Sequence, residues 1–310
     1  MYKSRILIVG TRTWELTSIH LKYFVKAGAN IVGFLESPTD TITSTTSGGS
    51  KNKPIHEVAE ELNLPIIQSG KPKDPKVQEW IRNLEPEIIV VIGYQFFLPK
   101  DFLEIAPMGV VNFHTSLLPR HCGRHPGFWT IWYGDEFSGM TIHQMDDGLD
   151  TGKVLMRNLV PVENGDTVDT LYKRIWDADE VLVNEFLEVV ERGSFEEPED
   201  SYEYTYNYVP SEKDFQLDFR YDAQVNANRC SLKADTFFFM FEGQKVYPVR
   251  YRVIDEPVNS RNFKMDVCYR YHDSVVLVSP NKWFAVDEVK IDGETHTGAD
   301  WATGVKVIGG

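Results

Sequence analysis

The chain has 310 residues, 42% of them hydrophobic and 13% aromatic, a composition that suits a globular protein able to bury a sizeable core and excludes a disordered one. Its formal net charge of −14 argues against broad, nonspecific binding to nucleic acid or a membrane surface, although a local basic groove stays compatible with it. Three scattered cysteines, Cys122, Cys230 and Cys268, form no C-x-x-C, so neither a disulfide framework nor a zinc site is expected and no metal is assigned.

The opening residues, MYKSRILIVG, read as a strand rather than a signal peptide, and no 18-residue apolar run follows, so a cytoplasmic protein with no membrane partner is expected. Residues 5–10 (RILIVG) form the short continuous apolar run of a buried parallel strand. Leu16, Ile19, Phe24 and Ala27 then recur at helical spacing, and Gly28 is placed to cap the helix. Residues 30–36 (NIVGFLE) read as the next strand, completing a strand–helix–strand unit. No G-x-G-x-x-G follows the first strand, which argues against a dinucleotide. Residues 37–53 are a long Ser/Thr-rich loop whose charges leave only +1. A helix over 54–63, a strand over 64–67, a helix over 74–84 and a strongly apolar strand over 87–93 (EIIVVIG) continue the alternation, with a loop over 94–99. Strand 110–114 follows. This pattern predicts a parallel α/β sheet with helices on both faces.

A strand over 153–160 precedes a long helix, capped by Asp166 or Thr167 and ended by Gly193. The acidic, Pro198-containing stretch 194–200 marks a domain boundary at about Asp200, giving domains over 1–200 and 201–310. Beyond it the predicted strands are short: 236–241, 245–254, 274–279 and 283–291, interrupted by a helix over 221–233. This is a small β-rich domain. With 13 Lys/Arg against 16 Asp/Glu it lacks the basic footprint of a nucleic-acid module.

The chemistry concentrates in residues 110–152. Asn112 and His114 lie two apart on a strand and so share a face, where an amide donor and an imidazole base can address one reacting centre. The loop Asp146-Asp147-Gly148-Leu149-Asp150-Thr151-Gly152 can return a carboxylate, Asp150, to orient the histidine. Residue types alone leave the bland reading open: Asn-x-His on a strand commonly serves structure, and Asp-Asp-Gly is most often a turn. His121, His125 and His143 are equally readable as ordinary polar or core residues.

Three blocks in order, Asn112-x-His114, Ser116-Leu117-Leu118-Pro119-Arg120 and the run 144–152 (QMDDGLDTG), resemble the signature of the folate-dependent formyltransferases. The resemblance spans residues 5 to about 193. It implies a Rossmann-like catalytic domain, with N10-formyltetrahydrofolate as co-substrate and Asn112, His114 and Asp150 as the catalytic trio. In those roles His114 is the base, Asn112 the oxyanion donor and Asp150 the group that orients His114. It also implies a pterin seat made by Phe97, Leu98, Pro99, Val110, Met145, Asp146 and Asp147. Asn112 favours transfer over hydrolysis, because a hydrolase relative lacks that asparagine. The tail more weakly resembles the OB-like C-terminal domain of longer members.

For the acceptor amine, members acting on tRNA carry a basic insertion after the second strand. The Ser/Thr loop here does not match it, which counts against tRNA and nucleic acid generally. Where the family often has arginine, this chain has Cys122. The block Gly123-Arg124-His125-Pro126 resembles the sugar-nucleotide members. The expected acceptor is therefore a nucleotide-linked amino sugar, met by Arg12, Trp14 and Arg124 as phosphate-binding cations and an aromatic face. The alternatives are methionyl-tRNA and an amino acid such as ornithine. A homodimer is compatible with the sequence.

Overall fold

The computed structural model describes residues 2–12, 14–38, 53–195, 198, 202–255, 264, 268–301 and 306–307. Most of the Ser/Thr-rich loop, residues 39–52, lies outside the described residues. Contacts divide the chain into two units. The first comprises Met1–Gly127, Phe137–Pro161 and Leu171–Tyr208; the second comprises Phe128–Glu136, Val162–Thr170 and Val209–Gly310.

The first unit begins with β1 (Arg5–Thr11), α1 (Glu15–Ala27), β2 (Asn30–Ser37), α2 (Ile55–Leu62), β3 (Ile66–Gln68), α3 (Pro75–Asn83), β4 (Ile88–Ile92), α4 (Lys100–Leu103) and β5 (Val110–His114). The local signals act as their chemistry demands. Gly28 takes the left-handed conformation (φ 78°) and turns its amide onto the last carbonyls of α1. Asp74 caps α3 by accepting from the Lys76 amide, with Pro75 in the first turn. The chain continues through β6 (Cys122–Gly123), α5 (Pro126–Tyr133), β7 (Phe137–Ser138), β8 (Thr141–Gln144), β9 (Val154–Arg157), β10 (Val160–Pro161), α6 (Val168–Arg192) and β11 (Tyr206–Asn207).

The main sheet has the order β3-β2-β1-β4-β5-β8-β9. Its first five strands are parallel, as the alternation predicts. The β5–β8 and β8–β9 pairs are antiparallel, so β8 runs against the other strands, which the alternation did not reveal, and the run expected over 153–160 divides into β9 and β10. Strand periodicity sorts the core. Leu7, Val9, Leu35, Ile89, Val91 and Val110 pack with Val77, Ile81 and Phe102 on one face. On β5, Phe113 meets Phe24 of α1 and Phe186 of α6 edge-on, at centroid distances of 5.9 and 5.6 Å. Each such side chain contributes about 1.5–3 kcal/mol by leaving water. One buried ion pair ties the same helices: His20 Nε2 lies 2.9 Å from Asp179 Oδ2, and Asn158 donates to Asp179 Oδ1 at 2.6 Å.

The second unit is β-rich. It contains α7 (Ala223–Leu232), β12 (Phe239–Phe241), β13 (Gln244–Ile254), β14 (Cys268–Tyr271), β15 (Ser274–Val278), β16 (Trp283–Ile291), β17 (Glu294–Thr297), α8 (Gly298–Trp301) and β18 (Lys306–Val307). The sheet order is β12-β13-β16-β15-β14-β18, with β17 also on β16. All pairs are antiparallel except β14 with β18. The predicted helix and four strands are present, though the first strand shortens to β12. β14, β17 and β18 escaped the sequence reading because they are short and, as in Glu294-Thr295-His296-Thr297, carry no apolar alternation. Arg229 is fully buried here, its guanidinium between the rings of Trp132 and Tyr221 at 4.0 and 4.4 Å. Among the described residues no helix is long and apolar enough to cross a membrane.

Candidate active site

Parallel α/β sheets bind ligands at the carboxyl ends of their strands, and β5 ends on His114. Asn112 and His114 share a face of β5, and β8 runs antiparallel beside them, setting His143 opposite Asn112. The chain between β8 and β9 is a tight turn. Asp146 Oδ1 accepts from the Gly148 amide at 3.0 Å and from Thr151 Oγ1 at 2.8 Å. A Cβ on Gly152 would stand 1.7 Å from the carbonyl oxygen of Gln144, so no larger residue fits there without moving backbone. Asp150 itself adopts a left-handed conformation (φ 55°), which aspartate tolerates better than most residues.

That turn brings Asp150 to both histidines. Its Oδ2 lies 3.6 Å from His114 Nδ1 and its Oδ1 lies 3.5 Å from His143 Nε2. The Gly123 amide donates to Oδ2 at 2.8 Å, the closest contact of the carboxylate. Burial raises the Asp150 carboxyl, but the nearby His114, the hydrogen bond and charge of His143 and the Gly123 amide together outweigh it. The carboxyl is held well below the usual carboxylate range.

His114 Nε2 lies 3.0 Å from the carbonyl oxygen of His121. A carbonyl only accepts, so Nε2 carries a proton, and Nδ1 is the nitrogen on the Asp150 side. The His121 carbonyl is itself braced. His121 has φ 61°, its amide donates to Thr205 Oγ1 at 2.7 Å, and Asn207 Nδ2 donates to its Nδ1 at 3.0 Å. Strand β11 holds these partners by pairing with β6.

The structure thus brings Asn112, His114 and Asp150 into one network, joined by His121, Gly123, Asn207 and His143. Sequence reasoning gave His121 and His143 no role and did not reach Asn207. The register of β8 on β5 is the missing signal, because alternation alone did not show that β8 exists. Cys122 is buried beside Asp150, its Sγ 3.4 Å from the Asp150 carbonyl oxygen and 3.3 Å from that of Pro119. Burial, then the Asp150 charge, pushes its thiol up to about 11, so it is a packed donor and not a nucleophile.

The residues expected at the pterin seat divide. Leu98, Val110 and Met145 pack into one apolar cluster. Pro99 is buried beside Leu98 and heads α4, while Phe97 is 64% exposed. Asp146 builds its own turn, and Asp147 is exposed. Phe96 and Phe97 line a surface groove of about 530 Å³ with Lys71 and Lys73. Of the residues expected to meet the acceptor, Trp14 lies over Gly93 at the end of β4, Arg12 is half-buried at the end of β1, and Arg124 is exposed. Burial, reinforced by the Arg124 charge, lowers the pKa of His125.

A family model described as formyl transferase matches residues 5–187, more than half of the chain. Among solved structures, the sugar 3N-formyl transferase WlaRD, in the presence of dTDP and 5-N-formyl-THF, is similar at 16% identity and a TM-score of 0.60, covering 92% of this chain and 98% of its own. An N-formyltransferase from Helicobacter canadensis, in complex with folinic acid and dTDP-3-aminofucose, is similar at 14% identity and a TM-score of 0.61, covering 92% and 99%. Phosphoribosylglycinamide formyltransferase from Bacillus halodurans is similar at 20% identity and a TM-score of 0.51, covering 62% of this chain and 97% of its own. The sheet, the loop that returns to it and the match over residues 5–187 together place this chain in the formyl transferase family.

Proposed function

We propose that this enzyme transfers a formyl group from N10-formyltetrahydrofolate to the primary amine of a nucleotide-linked amino sugar. The convergence of Asn112, His114 and Asp150 at the end of β5 carries the reading. In the step, the amine nitrogen bonds to the formyl carbon, and the carbonyl oxygen takes up negative charge. The bond from carbon to N10 then breaks. The proton lost by the amine passes through His114 to the departing nitrogen.

His114 receives that proton on Nδ1, the nitrogen left with a lone pair by the His121 carbonyl. Asp150, ionised, stabilises the imidazolium that results. In this scheme the His121 carbonyl sets the tautomer of His114, and Asp150 orients the ring from its other side. Asn112 donates to the developing oxyanion. The apolar group of Leu98, Val110 and Met145 offers the pterin a wall.

Coverage supports the sugar nucleotide as acceptor. Two of the sugar enzymes are similar along 92% of this chain, β-rich tail included, and a third along 79%, whereas phosphoribosylglycinamide formyltransferase covers 62%. Trp14, Arg12 and Arg124 remain the residues proposed to meet it. The test is release of tetrahydrofolate from N10-formyltetrahydrofolate upon addition of a dTDP-linked amino sugar. Asn112→Ala should lower that rate about 10²–10³-fold. An undiminished rate in this variant contradicts the mechanism.

A further inference from the structure

His143 is 1% exposed and lies in the network without a role in the scheme above. Its Nδ1 stands 3.2 Å from the Gln144 carbonyl oxygen, and its Nε2 stands 3.1 Å from Asn112 Nδ2. A neutral imidazole has one donor and one acceptor nitrogen. The carbonyl claims the donor, so Nε2 holds the lone pair and Asn112 donates to it. This contact decides which end of the amide is which. An amide turned over would set Oδ1 against that lone pair, acceptor against acceptor, with an unmet polar group in a buried site.

We infer that His143 is a positioning residue: neutral, with its proton on Nδ1, it accepts one N–H of Asn112 and leaves the second N–H of that nitrogen for the oxyanion. The inference rests on Asn112 being the oxyanion donor. Protonation of His143 reverses the arrangement. Nε2–H then donates, either to Asp150 Oδ1, 3.5 Å away, or to the oxygen of an Asn112 amide that has turned over. Asn112 then no longer has the partner that holds its nitrogen in place. The groups facing His143 define the setting. Asp150 is the charge, His114 lies edge-on at a centroid distance of 6.4 Å, and β9 opposes it with the apolar Val154.

Two measurements test this, one of them independent of turnover. In ¹⁵N spectra of the full chain at pH 7.5, His143 Nε2 should carry the unprotonated nitrogen signal. The Asn112 side-chain amide signals should move in His143→Gln, where a new partner takes the 3.1 Å contact. In formyl-transfer assays with N10-formyltetrahydrofolate and a dTDP-linked amino sugar, His143→Gln, whose amide oxygen can accept from Asn112, should keep most of the wild-type kcat. His143→Leu, with no acceptor, should lose about 10²-fold in kcat with KM held. A protonated Nε2 at pH 7.5, Asn112 signals blind to the His143→Gln change, a kcat in His143→Gln as low as in His143→Leu, or wild-type kcat in His143→Leu overturns the inference. Full activity in Asn112→Ala instead overturns the reading beneath it, while the spectra still report on the contact itself.

Discussion

Asp150 keeps its charge in a place where burial alone would discharge it, because two imidazoles and the Gly123 amide surround it. Its folded pKa lies below the unfolded value of about 3.9, so its contribution to stability is complete above that value and fades as pH falls through the folded one. The stability difference between wild type and Asp150→Asn, taken from urea midpoints, should hold constant above about pH 4 and shrink below it. Formyl transfer should fall about 10²–10⁴-fold in the same variant, since asparagine can still accept from Gly123 but cannot stabilise an imidazolium. Cys122 offers a contrary case. Its thiol, pushed up to about 11, should resist iodoacetamide at pH 8 in the folded enzyme and label fully in urea, as read by mass spectrometry. Rapid labelling of folded protein would show the pocket to be open.

At the scale of elements, the site depends on the turn between β8 and β9 and on the helices behind β5. Gly152→Ala should drive a methyl into the Gln144 carbonyl, displace Asp150 and lower kcat at least tenfold. Asp179→Ala should act through stability instead. It leaves His20 buried without its partner and Asn158 without an acceptor, at a cost of about 3–5 kcal/mol by urea unfolding. A loss under about 1 kcal/mol would show that the pair is replaced at little cost. How legible these elements were follows from their physics. The parallel strands were visible as apolar runs with helical spacing between them. β8 was not, because Thr141-Ile142-His143-Gln144 is short and one-sided, and its place in the sheet is set by partners distant in sequence. With β8 went the role of His143. Asn207 was illegible for a related reason, since β11 is two residues long and gains its meaning only by pairing with Cys122 and Gly123.

For the molecule as a whole, residue patterns alone left Asn112, His114 and Asp150 as an open possibility, and it took the resemblance of three separated blocks to make them a trio. The family is now carried by the match over residues 5–187. The acceptor is a property of side chains spread over several loops, and no short motif spells it. Much of the loop used in the argument against tRNA, residues 39–52, lies outside the described residues. The surplus of acidic residues nonetheless gives a prediction at this scale: any binding of methionyl-tRNA should be weak and lost between 50 and 200 mM salt, measured by filter retention. The most direct test presents the purified enzyme with N10-formyltetrahydrofolate and, in parallel, a dTDP-linked amino sugar, glycinamide ribonucleotide, methionyl-tRNA and ornithine, following tetrahydrofolate release. The account predicts the highest kcat/KM on the amino sugar nucleotide, abolished by His114→Ala. A higher kcat/KM on any of the other three, or turnover that survives loss of His114, would contradict it.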